Sequence, residues 1–95
     1  MPKTHSSFFR MLSAQRRVRI LRLLREHRDP TVDDLATELK VGVPTVSRQL
    51  QLLRMNDLVT YRQDGQTRHY ELNEKEIGER VALFLQEMGI TLPTL

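Results

Sequence analysis

The chain has 95 residues, room for one small domain over residues 1–95. With 39% hydrophobic and 28% charged residues it has the composition of a folded, water-soluble chain, and no apolar run is long enough to span a bilayer. The absence of cysteine excludes disulfides, thiolate metal ligands and a catalytic thiol, while a net charge of +3 leaves a polyanionic partner open.

The charge is unevenly placed. Residues 1–28 carry eight Lys and Arg against the single acid Glu26, a local excess of +7, whereas 29–57 and 73–95 each sum to −2. A basic first third suits nucleic acid, and equally a solvated helix face partly neutralised by the acidic C-terminal segment. The opening MPKTHSSFFRML lacks the apolar core of a signal peptide, so a cytoplasmic location is expected.

In chain order, Ser6 and Ser7 can cap a short helix beginning near Phe8. Ser13 can cap a second, ending near His27, with Ala14, Val18, Leu21 and Leu24 at helical spacing and Ile20 and Leu23 widening the stripe. Asp29-Pro30 interrupts it. Thr31 and Asp34 form a capping box for a third helix that buries Val32, Leu35, Ala36 and Leu39. A tight turn over 40–43 follows, in which Gly42 is expected to take the sharp backbone geometry. Pro44 sits in the first turn of a fourth helix whose Val46, Leu50 and Leu53 face inward. Two β-rich segments, LVTYRQ and QTRHYEL, flank Asp64-Gly65 as a hairpin. Asn73 and Glu76 start a last helix lined by Ile77, Val81, Phe84, Leu85 and Met88, and Gly89 fits its C-terminal cap. The fold class expected is mostly α with a small β-hairpin: a winged helix-turn-helix with the helix-turn-helix at about 31–55, the wing at about 58–72, and outer helices at about 8–27 and 74–88.

The outward face of the fourth helix carries the functional expectation. Pro44, Thr45, Ser47, Arg48, Gln49, Gln51 and Arg54 are small or polar, and no acid occurs between Leu39 and Asp57. Such a helix fits a DNA major groove: arginine can fork onto guanine, glutamine onto adenine, and hydroxyls onto phosphate. Thr31 joins this set at the start of the third helix. Arg62, Gln63, Gln66, Thr67 and Arg68 surround the hairpin tip, suited to the phosphate backbone or an adjacent minor groove. Tyr70 alternates with polar neighbours and reads as core.

Three stretches, LSAQRRVRILRLL, LATELKVGVPTVSRQLQLLRMNDLV and YRQDGQTRHYEL, resemble the ArsR-type (arsenic-repressor) winged-helix transcriptional regulators of bacteria and archaea. The resemblance implies a repressor that sits on an operator as a homodimer joined by its first and last helices. The chain departs from the family pattern at Gly42, Val43, Gln49 and Asp57, where serine, a polar residue, histidine and glycine are common. Many family members sense metals, but Thr31 and Asp33 occupy the places of their usual thiolate pair, and the last helix has no histidine for their other common site. His5, His27 and His69 have no ligand spacing, so neither a metal site nor a cofactor is expected. No phosphate-cradling glycine loop and no paired serine and histidine point to an enzyme.

Two apolar clusters, Phe8, Phe9, Met11 and Leu12 near one end and Ile77, Gly78, Val81, Phe84, Leu85 and Met88 near the other, exceed what so small a core needs. They are expected to meet across a two-fold axis, with Gly78 permitting close approach. The partners expected are therefore double-stranded DNA at an inverted repeat and a second copy of the chain, with no membrane. Two other readings stay open: a winged helix that docks a protein, and a repressor released by a small ligand held between helices.

Overall fold

A computed structural model describes residues 4–93. Five helices and one antiparallel hairpin follow one another as α1 (His5–Leu12), α2 (Gln15–Glu26), α3 (Val32–Leu39), α4 (Val43–Met55), β1 (Val59–Asp64), β2 (Thr67–Leu72) and α5 (Glu74–Met88). This is the winged helix-turn-helix that the periodicities predict. Among the described residues, no helix is long and apolar enough to cross a membrane.

The core forms where one face of each element points inward. Val46, Leu50 and Leu53 of α4 are fully buried, as their spacing predicts, and they meet Ile20 of α2, Leu35 of α3, and Leu58 and Val59 at the entry to the hairpin. In α2 the buried positions are Ile20, Leu23 and Leu24, so the inward face is turned toward the widening residues, and Val18 and Leu21 sit at its edge.

The helix ends explain the local boundaries. Helix α1 starts earlier than expected because Thr4, not Ser6 or Ser7, is its cap: the Thr4 hydroxyl accepts from the Ser7 amide and the Ser7 hydroxyl from the Thr4 amide, each at 3.0 Å. Ser13 does not cap α2; its hydroxyl donates to the Arg10 carbonyl at the end of α1, and Ala14 takes the cap position with no side-chain bond. The box at α3 forms as expected, the Thr31 hydroxyl accepting from the Asp34 amide at 3.1 Å and the Asp34 carboxylate from the Thr31 amide at 2.9 Å. Those bonds from Thr31 hold the Asp34 carboxyl below its ordinary range.

The α3–α4 turn is built differently from the expectation. Gly42 is extended, with φ −72° and ψ 152°, and caps α4; the left-handed residue is Lys40, with φ 58° and ψ 41°. A lysine there carries a steric penalty that glycine would not. In the hairpin, Asp64 pairs with Thr67, so the two-residue loop is Gly65-Gln66, one position later than expected, and Gly65 takes φ 61°.

Helix α5 is the outlier. It has the expected Asn73 and Gly89 ends, yet none of its residues is buried. It lies against α1, where Phe9 meets Phe84 edge-to-face at 4.9 Å and Arg80 donates to the Thr4 carbonyl at 2.8 Å. Two expected interface residues are corrected here: Phe8 and Met11, 1% and 7% exposed, belong to the core of their own chain.

Two outcomes follow. Lys40→Gly relieves the left-handed backbone and raises stability by about 0.5–1 kcal/mol, a thermal midpoint some ~2–8 °C higher by calorimetry. Thr31→Ala lowers stability by about 1 kcal/mol at neutral pH. Because the folded-state pKa of Asp34 is depressed, its capping contribution is present above the unfolded value of about 4 and is lost as pH falls through the folded value. The difference between wild type and Thr31→Ala therefore narrows in acid denaturation below about pH 4.

Candidate nucleic-acid interface

Burial of Val46, Leu50 and Leu53 fixes which side chains α4 turns outward. Pro44, Ser47, Arg48, Gln51 and Arg54 are exposed and Thr45 half-buried. The hairpin follows α4 through a left-handed residue, Asp57 (φ 63°), which turns the wing back beside the helix. The result is an open cleft of about 530 Å³ between the start of α3, the outer face of α4 and the wing.

This cleft gathers seven of the expected DNA-binding residues from three elements: Thr31; Ser47, Gln51 and Arg54; and Gln66, Thr67 and Arg68. Asp33 is the one acid in its lining. Pro44, Thr45 and Arg48 lie outside the cleft on α4. Among the described residues Arg48 makes no ion pair, so its guanidinium fork is free for a base edge or phosphate.

Three expected contacts are placed otherwise. Gln49 is half-buried and its side-chain carbonyl accepts from Arg17 of α2 at 3.1 Å. Arg62 is held by Asp29 at 2.9 Å and by Glu71 at 3.8 Å, on the hairpin face opposite Tyr61 and Tyr70. Gln63 is engaged within the wing, donating to the Gly65 carbonyl at 2.9 Å and accepting from Arg68 at 3.3 Å.

The structure also supplies a residue the sequence reading passed over. The Arg54 and Arg68 guanidiniums lie over the Tyr61 ring, 5.1 and 4.5 Å from its centroid. Tyr61 thus ties the last turn of α4 to the wing. An arginine stacked on an aromatic face has less rotamer freedom to lose on binding, and it keeps for phosphate whichever N–H groups are not already engaged, which in Arg68 excludes the Nε–H given to Gln63. Register was the available signal: with a two-residue loop after Asp64, Tyr61 must stand opposite Tyr70, on the same face as Arg68.

Geometry and surface together define a winged helix-turn-helix of nucleic-acid-binding type. The family model for the bacterial regulatory protein, arsR family, matches residues 14–61, and the chain belongs to that family. It is similar to the HTH-type transcriptional regulator KmtR of Mycobacterium tuberculosis, 38% identical over 73 residues covering 77% of this chain and 55% of that protein. It is also similar to the arsenical resistance operon repressor of Escherichia coli, 38% identical over 65 residues covering 68% and 56%. The chain therefore spans about half the length of these relatives. Among solved structures, M. tuberculosis Rv0081 superposes with a TM-score of 0.69 at 32% identity, covering 88% of this chain and 84% of that one. The homodimeric winged helix-turn-helix DNA-binding domain Mb0332 of Mycobacterium bovis superposes with a TM-score of 0.70 at 26% identity, covering 88% and 77%.

Tyr61→Leu is expected to weaken binding to random duplex about three- to tenfold in fluorescence anisotropy, the scale of one or two exposed cation–π contacts, while Tyr61→Phe stays within about twofold of wild type. Equal losses in both variants would assign the effect to the phenol hydroxyl.

Proposed function

We propose that this chain is a sequence-specific, double-stranded-DNA-binding transcriptional regulator, acting as a homodimeric repressor on an inverted-repeat operator. The observation that carries the reading is the carboxylate-free outer face of α4, continuous with the arginine-bearing cleft of the wing. In this reading α4 enters the major groove. Arg48 and Gln51 read base edges, Pro44, Thr45 and Ser47 fit the helix start against the groove, and Thr31 bonds the flanking backbone. Arg54, Gln66, Thr67 and Arg68 hold phosphates on either side of the cleft. Gln49 and Arg62 act at one remove, bracing α4 against α2 and the wing against the α2–α3 loop, and Gln63 acts by holding Arg68 within the wing.

The dimer is supported by α5. Leu83 and Met88 of α5 and Ile90 and Leu92 beyond its end are exposed, and Phe9 of α1 meets Phe84 edge-to-face. Leu12, Ile77, Val81 and Leu85 are half-buried beneath this surface, and the position of Gly78 is open to an added Cβ. The named state of the M. bovis neighbour, a homodimer, agrees with the pairing. A two-fold axis along α1 and α5 would set two α4 helices about 34 Å apart, one turn of DNA. The proposed regulator holds no metal: the family's thiolate places are Thr31 and Asp33 here, and the Thr31 hydroxyl is engaged in capping α3.

Arg48→Ala is expected to cost about 1–3 kcal/mol on a selected operator and much less on random duplex, with wild-type affinity falling steeply between low and moderate salt. Equal loss on both DNAs would assign Arg48 to phosphate, and a flat salt response would remove the DNA reading. Leu83→Glu, which puts a charge into the proposed seam, is expected to weaken self-association by about 3 kcal/mol, roughly 100-fold, in sedimentation equilibrium.

A further inference from the structure

Among the cavities that the DNA reading does not use, one has a mainly apolar wall. It has a volume of about 420 Å³ and lies where α1, the start of α2 and the C-terminal turns of α4 meet. Its apolar wall is Met11, Leu52 and Met55; its polar lining is Ser7, Arg10, Arg17 and Asn56, with no carboxylate. The volume lies within the range of small-molecule sites, and two methionines let the wall adapt to an occupant.

The two guanidiniums lack a counter-charge. Arg17 is half-buried and spends its N–H groups on neutral oxygens: the Met11 carbonyl at 3.0 Å, the Arg10 carbonyl at 3.1 Å and the Gln49 side chain at 3.1 Å. Arg10 makes no ion pair among the described residues. A partly desolvated cation such as Arg17 without an anion beside it is unfavourable, and the exposed Arg10 adds a second positive charge at the mouth of the same apolar wall. One class of ligand satisfies both features: a carboxylate to meet the arginines on a short hydrocarbon body to cover the methionines and Leu52.

We propose that this pocket binds a small amphipathic monocarboxylate. The same arginine gives the site a route to α4, because Arg17 is bonded at once to the last carbonyls of α1 and to Gln49. A carboxylate drawing on that guanidinium competes with Gln49 and loosens the brace between α2 and α4. This second step rests on the DNA reading above; the binding itself does not.

The test uses octanoate as the probe on the full chain, with 1-octanol as the uncharged control. Calorimetry is expected to show one octanoate per chain with a dissociation constant on the order of 0.1–1 mM, and 1-octanol roughly tenfold weaker. Arg10→Ala is expected to weaken octanoate roughly tenfold, and Met55→Asp to abolish binding in a chain that keeps its helical circular dichroism. No saturable binding up to about 10 mM, octanol binding as well as octanoate, or affinity unchanged in both variants would overturn the site. So would loss of self-association in Met55→Asp, since a second copy would then occupy the pocket. Saturating octanoate is further expected to lower DNA affinity roughly fivefold in the wild type and to have no such effect in Gln49→Ala. A wild type that binds octanoate but no DNA would remove the proposed function and leave the carboxylate site standing.

Discussion

The inward turn of Val46, Leu50 and Leu53 is the constraint on which the rest of the molecule depends. A helix of thirteen residues that must bury three aliphatic side chains along one stripe has no freedom about which residues it shows to solvent. Leu35 and Ile20 close over the same stripe, so α2 and α3 are placed by the residues that place α4. Leu58 and Val59 join that core directly after α4, which fixes where the hairpin starts and makes the wing a neighbour of the exposed α4 face. The exposed face of α4 and its supporting core are in this sense one pattern seen from two sides.

The division of labour among the arginines follows from burial. Arg17 lies between helices and meets neutral oxygens; Arg25 lies on the surface near Glu74, 3.6 Å away; Arg62 is drawn off by Asp29. Arg54 and Arg68 are the pair that an aromatic ring holds together. A count of basic residues in the first third of the chain therefore says little about where a polyanion is met. The side chains that converge on the cleft come from the start of α3, from α4 and from the wing, all outside that basic first third. In the proposed function, steering by the basic α2 surface and contact by the wing would be separable electrostatic roles.

Much of this was legible in the sequence, for a physical reason. Helical and strand periods report burial, and burial decides the elements; so α3, α4, the hairpin and the ends of α5 stand where the pattern of Leu, Val, Thr31, Asn73 and Gly89 puts them. Local alternatives were harder. Thr4, Ser6 and Ser7 are all competent caps, and only the geometry that lets Thr4 and Ser7 exchange bonds selects among them. Gly42 invites a left-handed assignment, yet the backbone places that conformation at Lys40, where α3 ends. Least legible were contacts between residues far apart in the chain. Gln49 and Arg62 look free on their own elements, and their partners lie 32 and 33 positions away. The burial of Phe8 and Met11 inside their own subunit was hidden for the same reason: an apolar cluster at a chain end does not say which neighbour will cover it.

Helix α5 carries a consequence for how such a molecule responds to its own abundance. A fifteen-residue segment with no fully buried residue, holding its own core only through partly buried positions such as Ile77 and Val81, draws only part of its order from its own subunit, and short isolated helices are marginal in water. Its order is then shared with whatever lies across its apolar edge, so dilution acts on the shape of the chain as well as on its pairing. For the homodimeric repressor proposed above, a falling protein level would then cost cooperative occupancy of paired half-sites sooner than simple mass action on DNA would dictate.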